Sequence, residues 1–245
     1  MKYKAIFLDI DDTLLDYIPC CREAFDAALE AIDPKSTNCL KGATPNTEEL
    51  FNLFFAISGR LFSEAKHGLH TVAEVMDLYP AEFIEKSGLA EGLTTIDQRR
   101  MTETFKHAFR AAWGETHTLV DGVENTLEAL RSKGYRLFAA SNSFGHLQRR
   151  RLQRADILHY FEDTYISMDI GYDKPDKRFY LEALKRADLQ PNEVLMVGDS
   201  MTTDILGAKA VGIDTCFFNR RPESALEHEA VDYEISTLNQ LATVL

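Results

Sequence analysis

Asp9, Asp11 and Thr13 stand at alternate positions directly after a short apolar run, Ala5 to Leu8. An apolar run of this length suits a buried strand of a parallel sheet. Side chains alternate along a strand, so Asp9 and Asp11 start out facing the same way. Two carboxylates on one side of a strand end repel each other, and a cation, a shared proton or bulk water must offset that. The first two offsets are those that catalysis uses. The plainer reading is a solvated turn, with Asp12 or Thr13 capping a helix.

Two later strand ends weigh against the plain turn. The apolar segment Tyr135 to Ala140 stops at Ser141-Asn142-Ser143, and Glu193 to Val197 stops at Gly198-Asp199-Ser200. In an open parallel sheet, ligands bind outside the carboxyl ends of the strands, so these distant groups would meet at one edge. Asp9 and Asp199 offer oxygen ligands with no His or Cys partner, which suits a hard divalent cation, Mg²⁺ above all. Ser141 and the amides that follow it, at a helix N-terminus, suit phosphate oxygens. Lys174, held before Pro175, can bring a positive charge to the same pocket. The seven histidines show no metal-ligand spacing and read as structural, as does Asp12.

The elements that must position these groups fall into two kinds. Between about 19 and 113 helical periodicity dominates, in Glu23–Ile32, Glu48–Lys66, Thr71–Lys86 and Asp97–Trp113. Breakers separate these segments at Asp33-Pro34, Gly42 to Pro45, Gly68 and Gly88 to Gly92. Phe51, Phe54, Phe55 and Phe62 lie at helical spacings and read as packed core.

From about 118 the pattern is α/β. Asp121-Gly122 opens a helix, Val123–Ser132, closed by Gly134. After the 135–140 strand, a helix carries Arg149, Arg150, Arg151 and Arg154, a basic cluster that reads as a solvated face and not as a phosphate site. Tyr165–Ser167 reads as a short strand, Lys177–Ala187 as a helix, and the segment after Ser200 as a helix running to Val211 with Gly212 closing it. Asp214–Phe218 and Tyr233–Ile235 are late strands. Strands alternating with helices imply a parallel sheet with right-handed crossovers.

Length and charge narrow the function. The chain has 245 residues, enough for one sizeable α/β domain or two smaller ones. Its net charge of −12 argues against a nucleic-acid or anionic-membrane surface as the main function. A bound metal would still let an acidic protein hold a phosphate. No run approaches membrane-spanning length, and Lys2 and Lys4 are followed by too short an apolar run for a signal peptide. Cys20, Cys21, Cys39 and Cys216 include no Cys-x-x-Cys pair, so a reduced, cytoplasmic protein is expected; its expected state is a monomer or homodimer.

Taken together, the motifs resemble the haloacid-dehalogenase-like hydrolase superfamily. All four of its motifs occur in order: Asp9-x-Asp11-x-Thr13, Ser141-Asn142, Lys174-Pro175, and Gly198-Asp199-Ser200 with Asp204. The resemblance implies a Rossmann-like parallel sheet flanked by helices, with a helical cap inserted after the first motif. The expected division is 1–15 with 116–245 as catalytic core, and 16–115 as cap.

Roles follow position by position. Asp9 would be the nucleophile that forms an aspartyl-phosphate. Asp11 would be the general acid and then the base, its backbone carbonyl touching the metal. Asp199 would ligate Mg²⁺, with Asp204 behind it or capping its helix. Ser141, Asn142 and Lys174 would hold the phosphoryl oxygens.

The implied activity is a Mg²⁺-dependent phosphatase acting on small phosphorylated metabolites. A phosphomutase has the same core motifs, and a dehalogenase of the superfamily would lack Asp11. A non-catalytic binding protein on a degenerate form of the fold would not keep Asp9, Asp11, Lys174 and Asp199 intact. Asp-Asp-Thr-Leu-Leu-Asp, the Gly-Tyr-Asp-Lys-Pro loop and Asp232-Tyr233-Glu234-Ile235 are similar to the pyrimidine 5′-nucleotidase branch, which suggests a nucleoside 5′-monophosphate. A sugar-phosphate or acylneuraminate-phosphate phosphatase is the alternative.

Overall fold

A computed structural model describes residues 2–32, 46–220 and 231–245. The expected breakers at Asp33-Pro34 and Gly42 to Pro45, and Cys39, lie outside the described residues. The chain forms two compact units, one of residues 1–17 with 117–245 and one of residues 18–116.

The first unit is built on a six-stranded sheet in which every pairing is parallel. Its strands are β1 (Ala5–Leu8), β2 (Arg136–Ser141), β3 (Asp163–Ile166), β4 (Val194–Gly198), β5 (Asp214–Phe218) and β6 (Tyr233–Ile235). They lie in the order β3-β2-β1-β4-β5-β6. The chain builds outward from β1 to β3, then crosses back to place β4 on the other side of β1. The order of connection therefore reverses between β1 and β4, and that reversal opens a crevice at the carboxyl ends.

Both faces of the sheet are buried, which is why β1 is apolar at every position. Ile6 and Leu8 join one core with Leu127, Leu137, Leu152, Leu195 and Val197. Ala5 and Phe7 join the other with Phe138, Tyr165, Met196, Phe179 and Tyr180. The register then decides which strand ends meet. Leu8 pairs with Ala139 on one side and with Val197 on the other. Asp9 therefore emerges level with Ala140 and Gly198.

Several elements differ from expectation at their ends. The strand expected at 165–167 runs Asp163–Ile166, and Ser167 instead opens a one-turn helix closed by Gly171 at φ +90°. The helix expected after Ser200 begins as a π-helical turn, Met201–Leu206, in which the Ile205 amide donates to the Ser200 carbonyl five residues back. Such turns concentrate at functional sites.

The second unit holds helices at Thr47–Lys66, Val72–Lys86 and Thr95–Trp113, and most of the helix Tyr17–Ile32 that begins at its border. That first helix starts six residues before the periodicity suggested, because Pro19 is tolerated in its first turn. Each helix contributes at least one buried phenylalanine to a common centre, among them Phe25, Phe54, Phe83 and Phe105. Phe25 lies 5.1 Å from Phe54, 5.5 Å from Phe83 and 6.0 Å from Phe105, centroid to centroid. Phe51 and Phe54 are buried, whereas Phe55 and Phe62 are half-exposed. No helix among the described residues is long and apolar enough to cross a membrane.

Candidate active site

Asp9 follows β1 and is buried, its amide donating to the Val197 carbonyl of β4 at 2.9 Å. Lys174 reaches it from the loop before the helix Lys177–Ala187. The Lys174 ammonium donates to Asp9 Oδ1 at 2.6 Å, to Asp204 Oδ1 at 2.7 Å and to the Ala140 carbonyl at 2.7 Å. An ammonium has three donors, and here each has an acceptor. The Lys174 backbone is held by Asn142, whose side chain accepts from the Lys174 amide at 2.7 Å and donates to its carbonyl at 2.8 Å. Asn142 thus spends its side-chain amide on placing the lysine.

Asp204 lies in the π-helical turn, which brings its carboxylate back beneath Gly198. Asp204 Oδ2 accepts from the Ser200 amide at 3.0 Å. A Cβ on residue 198 would stand 2.2 Å from that oxygen, so the position takes only glycine. Burial, followed by the nearby Asp204 and Asp9 charges, pushes the Tyr180 phenol well above its ordinary range. Tyr180 therefore keeps its proton and donates it to the Thr203 carbonyl, fixing the same turn.

Asp9, Asp199 and Asp204 each present a carboxylate oxygen within 4.8 Å of the others. Among the described residues, these three carboxylates lie beside one ammonium, that of Lys174, which leaves an excess of negative charge. Burial pushes Asp9 well above the usual carboxylate range; Lys174 opposes this, and Asp204 and Asp199 reinforce it. Burial works against the charge on Lys174, but Asp204 and Asp9 outweigh it and hold the ammonium above its ordinary range. Oxygen donors around excess negative charge fit a hard divalent cation.

Asp11 turns elsewhere. Its Oδ1 accepts from Arg151 Nη1 at 2.6 Å and its Oδ2 from Gln148 Nε2 at 2.7 Å. Gln148 Nε2 also donates to Ser141 Oγ at 2.9 Å. The expected solvated face of arginines is therefore corrected at one position. Arg150 and Arg154 are exposed and Arg149 pairs with Asp169, but the Arg151 side chain is 0% exposed. The helix Gly145–Arg154 carries the signal that could have shown this. Leu147 and Leu152 mark its inward face, and Gln148 and Arg151 lie on that face at helical spacing. Asp12 takes φ +58° and its side chain accepts from the Tyr17 amide, a structural contact in the turn before the helix.

This arrangement at the carboxyl edge of a parallel sheet is matched over most of the chain by the family model for haloacid dehalogenase-like hydrolases, which covers residues 3–212. The chain belongs to that family. Among related proteins, this hydrolase is 29% identical over 248 residues to the glyceraldehyde 3-phosphate phosphatase of Methanothermobacter thermautotrophicus, covering 99% of each chain. It is 27% identical over 246 residues to the pyrimidine 5′-nucleotidase YjjG of Escherichia coli, covering 100% of this chain and 99% of that protein. Its fold matches the crystal structure of the putative HAD-hydrolase YfnB of Bacillus subtilis bound to magnesium, with a TM-score of 0.83 at 24% identity, over 100% of this chain and 99% of the other.

Proposed function

We propose that this hydrolase removes phosphate from small phosphomonoesters, with Asp9 as nucleophile. The observation that carries the reading is the Lys174 ammonium bonded to both Asp9 and Asp204 beside Asp199. An anionic nucleophile can approach an anionic phosphate only where positive charge offsets the repulsion. Lys174 supplies one such charge. Asp9, Asp199 and the Asp11 backbone carbonyl would hold Mg²⁺, with Asp204 behind them, and the ion would supply further charge stabilisation to the phosphoryl oxygens.

The chemistry divides in two. An Asp9 carboxylate oxygen bonds to phosphorus as the ester P–O bond breaks, and Asp11 gives its proton to the departing alkoxide. Water then attacks the phosphorus of the aspartyl-phosphate, Asp11 takes the proton of that water, and the Asp9 carboxylate leaves with inorganic phosphate released. Ser141 and the backbone around Asn142 would meet the phosphoryl oxygens.

The nucleotidase relative supports a nucleoside 5′-monophosphate as substrate. The triose-phosphate phosphatase relative supports the second reading, a sugar phosphate. The helical unit is assigned the role of cap that sets this choice, on the family resemblance. The absence of a Cys-x-x-Cys pair in the sequence supports a reducing, cytoplasmic setting.

The test is turnover of an aryl phosphate and of a panel of nucleoside monophosphates, triose phosphates and hexose phosphates, with Mg²⁺ and with excess chelator. Turnover that needs Mg²⁺, and an inert Asp9→Asn variant, are expected. Full activity in chelator would remove the metal from the mechanism, and a panel led by triose phosphates would replace the nucleotide reading.

A further inference from the structure

Asp11, Gln148 and Arg151 close a ring of hydrogen bonds. Arg151 Nη1 donates to Asp11 Oδ1 at 2.6 Å and to Gln148 Oε1 at 2.8 Å, while Gln148 Nε2 donates to Asp11 Oδ2 at 2.7 Å. Both carboxylate oxygens of Asp11 are thus addressed by a different donor, which fixes the side chain about both of its rotatable bonds. The same Gln148 nitrogen reaches Ser141 Oγ at 2.9 Å, so the ring is tied to the end of β2.

Packing does not account for this choice of residues. Gln148 and Arg151 are both fully buried on a helix face that Leu147 and Leu152 already fill with apolar side chains. An apolar residue of similar volume is often as stable as a buried ion pair, so fold alone gives no reason for a buried guanidinium there. The fork of a guanidinium and the amide of a glutamine do offer directed donors, which apolar groups cannot.

We propose that Gln148 and Arg151 are positioning residues for Asp11. They hold its carboxyl at the Ser141 end of the pocket; Arg151 acts on proton transfer through it, while Gln148 also ties it to Ser141 Oγ. This rests on the proton-transfer role given to Asp11 above. A carboxyl that must hand its proton to a departing oxygen needs a set direction, and small misplacements of reacting groups cost about 10²-fold.

The readout is leaving-group dependence. The ratio kcat/KM reports the step in which the leaving group departs. An alkyl phosphate needs a proton there, and an aryl phosphate needs little help. R151M should lower kcat/KM for the alkyl phosphate by about 10- to 10²-fold and for the aryl phosphate by less than about 3-fold. R151K should restore part of the alkyl activity, since it keeps a cationic donor. In an Asp11→Asn background, adding R151M should change alkyl turnover by less than about 2-fold, as expected for residues that act as a unit. The alkyl-to-aryl ratio, taken on one sample, is independent of the fraction folded, so a destabilised variant still reports. Equal losses on both substrates, no loss, a gain, or an undiminished R151M effect in the Asp11→Asn background would each overturn the proposal. An Asp11→Asn enzyme with normal alkyl turnover would instead remove Asp11 from proton transfer, and the clamp with it.

Discussion

Lys174 Nζ lies 2.6 Å from Asp9 Oδ1, although the two residues are 165 positions apart. The contact forms because β1 ends one residue before Asp9 while the 171–175 loop is held to the end of β2 through Asn142. The pair does not balance its surroundings. Asp204 shares the ammonium, and Asp199 adds a third carboxylate.

That imbalance predicts a pH-dependent stability. Asp9 is held well above the usual carboxylate range by burial first, and by Asp204 and Asp199 against the pull of Lys174. For an acid raised in the folded state, the stabilisation is fully present below the unfolded value of about 3.9 and is lost as pH rises through the folded value. In metal-free protein near neutrality, ionised Asp9 therefore weakens the fold. Asp9→Asn removes that charge, and Lys174 keeps Asp204 and the Ala140 carbonyl. Thermal melts in chelator should show Asp9→Asn above the native protein at pH 8, with the gap closing as pH falls towards 5. A variant less stable at pH 8 would refute the carboxylate crowding.

The same crowding predicts stabilisation by a cation. At a free concentration about 100 times Kd, one site adds about 2.7 kcal/mol. For a chain of this size that corresponds to a rise in Tm of about 5–10 °C. Mg²⁺ should produce such a rise in the native protein and little of it in Asp199→Ala. A full rise in Asp199→Ala would take Asp199 out of the site.

Much of this was legible in the sequence, and what escaped it did so for identifiable reasons. The sheet strands could be read because a parallel strand buried on both faces is an unbroken apolar run, as in Ala5–Leu8 and Val194–Val197. Asp9 and Asp199 could be read because a carboxylate at the end of such a run is conspicuous. Gln148 and Arg151 could not be read from residue type alone. An arginine among four arginines is ordinarily solvated, and only the register of Leu147 and Leu152 turns it inward. The π-helical turn was hidden too, since its bond from Ile205 to Ser200 leaves no mark on the apolar period.

Gly198 supplies a steric test of the geometry. A Cβ there would lie 2.2 Å from Asp204 Oδ2 and 2.4 Å from Asp204 Cγ, so Gly198→Ala must displace the carboxylate. That breaks its bond to the Ser200 amide and shifts the partner of Lys174. A loss of about 1–3 kcal/mol is expected from the overpacking, with a fall in kcat of about 10²-fold from misplacement. Gly59, in the helix Thr47–Lys66, has nothing within 4 Å of its added Cβ. Gly59→Ala should gain about 1 kcal/mol by helix propensity, with turnover intact. Denaturant melts and steady-state rates on the two variants check both halves. A fully active Gly198→Ala would mean that Asp204 need not sit where it does.

Asp9 and Asp11 should separate the two chemical steps. Asp9→Asn puts a neutral amide where an anionic nucleophile is required, so no phosphoenzyme should form. Asp11→Asn keeps the nucleophile and removes the proton donor and base, a contribution of about 10²–10⁴-fold. With an alkyl phosphate, formation of the intermediate should slow, because the alkoxide departs unprotonated. With an aryl phosphate, formation needs little acid, so hydrolysis of the aspartyl-phosphate, which needs a base for water, becomes limiting. Asp11→Asn given an aryl phosphate and Mg²⁺ should therefore accumulate one phosphoryl group, seen by intact-protein mass spectrometry after rapid quench and mapped to Asp9 by peptide analysis. The native enzyme under the same quench should carry less. Label on a serine or histidine would overturn the assignment of Asp9, and an Asp11→Asn enzyme that turns over aryl phosphate at the native rate without accumulating label would overturn that of Asp11.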